Sequence, residues 1–261
     1  MKSDIYAKEI IENRKSIKSC FNNFSHIYLH DYIIYNVDSL LKESYENMEY
    51  VGETIEKKAK VILKKYEFNI KYRNFYAYIM REVMRNVVEH SKSKELILLI
   101  YYDEQNEFGF KVIDNGIGIK KSLNSNPNYK VVDDKTALAF AVRPGITRSW
   151  KRDPFRDDVW QNSGFGLYMV SNIMNNIKGR FEIISGNSGL EYRDGFLNII
   201  DKKIKGTEVT VVFDKNKEFN TIKIINEISI EGSKMLKSAG SFFAKYAEVD
   251  TASKASTLIK S

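Results

Sequence analysis

The stretch Arg81-Glu82-Val83-Met84-Arg85-Asn86-Val87-Val88-Glu89-His90 decides how the chain is read. On a 3.6-residue wheel Met80, Val83, Met84, Val87 and Val88 share one broad apolar face. Glu82, Asn86, Glu89 and His90 gather on a narrow polar stripe, because residues four apart stack one turn above another. The segment therefore predicts a helix that buries one side and presents chemistry on the other. A carboxylate can orient or deprotonate a nucleophile. A carboxamide oxygen one turn later can ligate Mg²⁺, which takes few protein ligands and leaves the rest to phosphates and water. A solvated helix face would show the same stripe, so the reading turns on what accompanies it.

Three further segments follow in order. Asp114-Asn115-Gly116-Ile117-Gly118-Ile119 closes an apolar run that predicts a strand. An aspartate there can accept from an exocyclic amine, and the glycines let backbone approach a flat ring. Asn162-Ser163-Gly164-Phe165-Gly166-Leu167 opens a second predicted helix over 164–178. Small residues at a helix start present free N–H groups and a positive dipole end, which suits phosphate. Gly206-Thr207 begins a last strand, where a hydroxyl can share the purine site. Asn-Gly pairs are common turn makers and Gly-x-Gly opens many helices, so each motif has an ordinary explanation alone. Their joint order does not.

In this order the motifs resemble the GHKL superfamily of ATP-binding domains, which includes gyrase-type topoisomerases, heat-shock chaperone ATPases, histidine kinases and anti-sigma-factor serine kinases. The resemblance covers roughly residues 70–213. It implies ATP with Mg²⁺ held beneath a lid. Asn86 is the implied magnesium ligand and Glu82 the implied general base. Asp114, Gly116 and Gly118 are implied at adenine, Thr207 beside it, and Gly164, Phe165, Gly166 and Leu167 at the phosphates. Histidine kinases usually carry asparagine where this chain has Glu82, whereas hydrolysing members and serine kinases carry glutamate. His90, four residues past Asn86, resembles the serine-kinase version, and the string from Glu82 to His90, with residues 114–119 and Pro144-Gly145-Ile146-Thr147, resembles stand-alone bacterial ATP-binding proteins. The chain departs from the pattern at Tyr168, where the superfamily often has glycine.

The rest of the chain is consistent with that frame. Its 261 residues are 43% hydrophobic, enough for a real core. No apolar run approaches the eighteen residues of a membrane span. Met1-Lys2-Ser3-Asp4 leads into charged residues rather than an apolar leader. The single cysteine, Cys20, forbids an internal disulfide and fits a reducing, cytoplasmic setting. Three histidines leave little for zinc. The formal charge of +7 is spread among acids, and its densest cluster (Lys57, Lys58, Lys60, Lys64, Lys65) reads as the outer side of a helix whose inner side holds Ile55, Ala59 and Ile62. Nucleic acid is not expected as a partner.

Along the chain, residues 4–20, 37–48 and 53–67 read as helices and 24–36 as a strand. The runs 96–102 and 108–114 read as a hairpin, and strands are expected at 181–185, 195–200 and 207–213. Residues 121–163 hold all three prolines and both tryptophans. Only short helices fit there, best over 133–142, and the segment reads as a mobile lid in which Arg143, Thr147 and Arg148 could touch the terminal phosphate. Met235, Leu236, Ala239, Phe242, Phe243 and Tyr246 mark an amphipathic tail helix, suited to its own domain or to a second copy, so a homodimer is an expectation. The expected architecture is α/β: a two-layer sandwich with a mixed, mostly antiparallel sheet and helices on one face. It divides into an N-terminal α/β region (1–69), a nucleotide domain (70–214) and a C-terminal helical tail (215–261). Two functions compete. One is an ATPase acting as a nucleotide-gated switch on a regulatory protein partner. The other is a serine/threonine kinase of the anti-sigma-factor type. A non-hydrolysing nucleotide sensor is a third.

Overall fold

The computed structural model describes residues 28–102, 107–148, 164–193 and 195–238. Expectations placed on 4–20, Cys20, His26, Trp150, Pro154, Trp160, Asn162, Ser163 and the tail beyond Ser238 lie outside these residues.

The frame is one seven-stranded sheet in which every described pairing is antiparallel. Its strands are β1 (Tyr28–Asn36), β2 (Glu95–Tyr102), β3 (Glu107–Asp114), β4 (Arg180–Ser185), β5 (Ser188–Arg193), β6 (Phe196–Ile200) and β7 (Thr207–Asp214). They lie in the order β1-β2-β3-β7-β4-β5-β6. β7, last in sequence, enters between β3 and β4. That insertion brings Thr207 directly opposite Asp114. The sequence reading missed β5, since Glu191, Tyr192 and Arg193 leave no apolar run to find.

Period-two alternation places Leu96, Leu98 and Ile100 of β2, Phe110 and Val112 of β3, and Val209 and Val211 of β7 in the main core. The opposite-facing Ile97, Leu99 and Tyr101 are buried as well. This is why β2 is continuously apolar rather than alternating. Lys111 on that second face is fully buried and approaches Glu208 at 3.5 Å.

Helices α2 (Val51–Lys65), α3 (Ile70–Asn86) and α6 (Gly166–Asn176) form the layer over the core face, and α1 (Val37–Glu46) packs against α2 and β1. Asn69 caps α3 by accepting from the Lys71 N–H at 3.1 Å. From Phe75 to Arg85 every residue of α3 is buried. The helix runs through the middle of the layer between α2 and α6. Its start is fixed by aromatic packing, with Tyr76 stacked on Phe213 of β7 at 3.7 Å and 2°. The lysine cluster lies on α2, where Lys58, Lys60 and Lys65 pair with Glu43, Glu56 and Asp31.

The helix predicted for residues 81–90 does not continue as α-helix to its end. After Asn86 the chain widens into one π-turn, Val87–Ser91, closed by Lys92 in the left-handed conformation. The Ser91 hydroxyl donates to the Val87 carbonyl at 2.7 Å, occupying an acceptor of the last turn. Two short helices, α4 (Gly118–Leu123) and α5 (Asp134–Ala141), follow β3. They carry a small core of their own built on Leu123, Tyr129, Val131, Ala137 and Ile146. The described part of the predicted lid is thus a packed unit. The last described helix is α7 (Thr221–Ser238), which packs on α6.

Candidate nucleotide site

Two adjoining cavities open between the C-terminal end of α3, the loop after β3, the lid and the start of α6. One, open to solvent on one side, spans about 420 Å³ and is lined by Asp114, Gly118, Thr207, Val112, Val209 and Ile183, among others. The second, likewise open, spans about 500 Å³ and is lined by Gly164, Gly166, Thr147, Arg148, Ile146 and Leu123, among others. Asn86, His90, Ile119, Ser122 and Leu167 line both. Asn86, Asp114, Gly166 and Thr207, from four distant segments, therefore converge on one continuous cleft.

The first cavity is built by the sheet. Its apolar walls suit a flat ring, and Asp114 is its one carboxylate. Asp114 Oδ1 accepts from the Gly116 N–H at 2.7 Å, and Thr207, opposite it across the strands, also favours the charged form. Burial outweighs both and pushes the carboxyl from 3.8 up to about 6. A buried acceptor in an apolar slot is what an exocyclic amine requires. The loop after Asp114 crosses the π-turn, where the Ile117 N–H donates to the Ser91 carbonyl at 2.8 Å. Gly206 has φ +81°, and a Cβ there would collide with the Asp114 carbonyl. Only glycine lets the two chain segments touch.

The second cavity is built by the lid and by helix starts. Gly164, at φ +71°, lies against the backbone of Gly145 and Ile146, 2.7 Å from where its Cβ would be. The lid strap is tied inward by polar contacts. Asn126 Nδ2 donates to the Thr147 carbonyl at 3.1 Å. Arg148 Nη1 reaches the His90 carbonyl at 3.3 Å, and the Ser122 hydroxyl reaches the same oxygen at 3.2 Å. The π-turn thus supplies an anchoring carbonyl at the mouth of the site. The His90 ring is buried, which holds its pKa below the ordinary imidazole value and favours the neutral form.

Asn86 occupies the junction. Its Nδ2 donates to the Glu82 carbonyl at 2.8 Å, which fixes the amide and leaves Oδ1 as the acceptor for the cleft. That arrangement fits a single carboxamide ligand for Mg²⁺. Glu82, one turn earlier, lines neither cavity. It is 4% exposed, its Oε1 bound by Arg81, while its Oε2 faces Gly166, 2.7 Å from an ideal Cβ there. Gly116 and Phe165 also lie outside both cavities. Gly116 supports Asp114, and Phe165 is wholly buried against Tyr168 at a ring separation of 5.8 Å. Arg143 is likewise absent from both linings. Ile119 and Ser122 line both cavities, yet the sequence reading did not select them. Their signal was position, since the first turn after a Gly-x-Gly loop must face what the loop faces.

Fold and cleft together define an ATP-binding domain of the Bergerat type, in which a purine sits on the sheet and phosphates meet a glycine-opened helix. The sequence matches the family described as histidine kinase-, DNA gyrase B- and HSP90-like ATPase over residues 72–217, and the chain belongs to that family. No curated protein matches the sequence.

Proposed function

We propose that the protein is an ATP-driven regulatory switch whose output passes through α7. The observation that carries this is the contact between α6 and α7. Gly166 opens α6 at the phosphate cavity, and two residues later Tyr168 turns away from that cavity. Its hydroxyl donates to the Ile228 carbonyl of α7 at 3.2 Å. Gly232 of α7 lies so close that a Cβ would stand 2.6 Å from the Tyr168 ring and 2.9 Å from Phe165. The residue between the two phosphate-side glycines and the departure at Tyr168 therefore both abut α7. A displacement of α6 on phosphate binding would be felt there, because packed interiors shift between discrete arrangements rather than stretch.

In this reading adenine enters the sheet-built cavity and its amine donates to ionised Asp114. Thr207 fixes the carboxylate, and Gly164 and Gly166 admit the phosphates. Mg²⁺ held on Asn86 would supply neutralisation of phosphate charge. Thr147 and Arg148 close the strap over the cleft and exclude water. Glu82 accepts a proton from the attacking water through Oε2, at the start of α6. A regulatory protein or a second copy of the chain reads the state of α7.

The test is incubation with γ-labelled ATP, alone and with co-purifying proteins. The expected result is free phosphate, lost in Glu82→Gln, with a Gly232→Ala variant that hydrolyses ATP but no longer changes its partner interaction. Label on a serine or threonine of a partner would replace the switch by a kinase. Neither product would overturn turnover altogether.

A further inference from the structure

Glu82 is held by more than its own helix. Adjacent residues on a helix do not face one another, yet Arg81 curls back so that Nε and Nη2 both donate to Glu82 Oε1, at 3.0 and 2.7 Å. The guanidinium is pulled into place from the other side. Its Nη1 donates to Glu56 Oε2 at 2.6 Å, and Glu56 Oε1 takes Lys60 at 2.9 Å. The Tyr78 ring lies 4.8 Å from Arg81 Cζ. Glu56, Arg81 and Glu82 are 5%, 1% and 4% exposed, so none can trade its partner for water without cost. Among the described residues, Arg85 pairs with Glu89 at 2.8 Å, and its charge also acts on Glu82.

Two consequences follow. With Oε1 occupied twice, Oε2 is the oxygen turned to Gly166. And Glu56 stands on α2, before the segment shared with the family at 72–217. We propose that Glu56 and Arg81 form a positioning relay that aims Glu82 at the phosphate side of the cleft, so that α2 is a working part of the site. This rests on the reading of Glu82 as the activating carboxylate. Arg81 and Glu56 touch no substrate; they act through Glu82. A partner that shifts α2 would therefore retune turnover without touching the nucleotide.

The experiment compares Glu56→Gln, Arg81→Lys and the double variant in the full chain. Glu56→Gln is expected to keep ATP affinity within about twofold and to lose about 10- to 100-fold in kcat, the effect of a slightly misplaced group. Arg81→Lys keeps the charge but not the fork, and should lose as much. The double variant should be no slower than the worse single one, since both break one chain of contacts. Independently of turnover, the Glu82 carboxyl carbon resonance, assigned by its loss in Glu82→Gln, should move in Glu56→Gln. Parent kcat with an unmoved resonance overturns the relay. So does a loss of kcat matched by loss of affinity and Tm, which marks a structural role. If Glu82→Gln hydrolyses at the parent rate, the activating role of Glu82 fails, while the resonance still judges the relay.

Discussion

The two ends of the cleft are made differently. One end, the proposed purine end, is sheet: Asp114 closes β3, Thr207 opens β7, and the pair face each other by strand register. The other, the proposed phosphate end, is lid and helix start, held by contacts such as Arg148 to the His90 carbonyl and Asn126 to that of Thr147. Register cannot slip by one residue without turning a whole strand inside out. A strap with its own small core can move as a unit. On the proposed reading, the sheet-built end selects the nucleotide and the strap end responds to it.

Four changes would break or sharpen that contrast. The largest effect is expected from Asp114→Asn, which removes the charged acceptor and should weaken ATP binding about 100-fold by calorimetry. The same substitution should stabilise the ligand-free protein. Because the folded carboxyl titrates near 6 rather than 3.8, its contribution is fully present below pH 4 and lost as pH rises through about 6. Relieving it should recover up to about 3 kcal/mol at neutral pH, seen as a higher Tm. Unchanged affinity would remove Asp114 from the purine site.

Asn86→Ala comes next. It should abolish the magnesium dependence of nucleotide affinity, a loss of about tenfold in Mg²⁺ buffer and little in chelator. Retained dependence would move the metal elsewhere. Third is pH. Affinity should fall as Asp114 protonates, by up to about tenfold from pH 6 to 5. Asp114→Asn serves as the reference that lacks this limb, since nucleotide phosphates titrate too. The smallest effect belongs to the strap. Gly164→Ala should displace Gly145–Ile146 and weaken ATP about fivefold while leaving adenosine binding unchanged. An equal loss for both ligands would show that the two ends are not separable.

Much of this cleft was legible beforehand because its residues sit at element boundaries with distinctive chemistry. Asp114 ends an apolar run, Gly206-Thr207 starts one, and Glu82 and Asn86 are one turn apart. Gly166 opens a helix of core-spaced residues. What misled was the polar stripe. The wheel placed Glu82 beside Asn86, but a wheel does not know that α2 carries Glu56 into the same layer, or that Arg81 will fill the gap. Phe165 was read with the glycines around it, yet it turns to α7.

Local chemistry alone determined most of the kinds of element, their approximate limits, and several of the side chains that line the cleft, Asn86, Asp114 and Thr207 among them. Hydrophobic period and glycine placement are properties of neighbours in sequence, so they survive without a fold. The tertiary structure decided the rest. It inserted β7 beside β3, widened the end of α3 into a π-turn that anchors the strap, set Tyr168 against Gly232, and tied Glu82 to a helix outside the shared segment. Each of these depends on which distant surface fills the space beside a residue, and that is fixed only when the whole core packs.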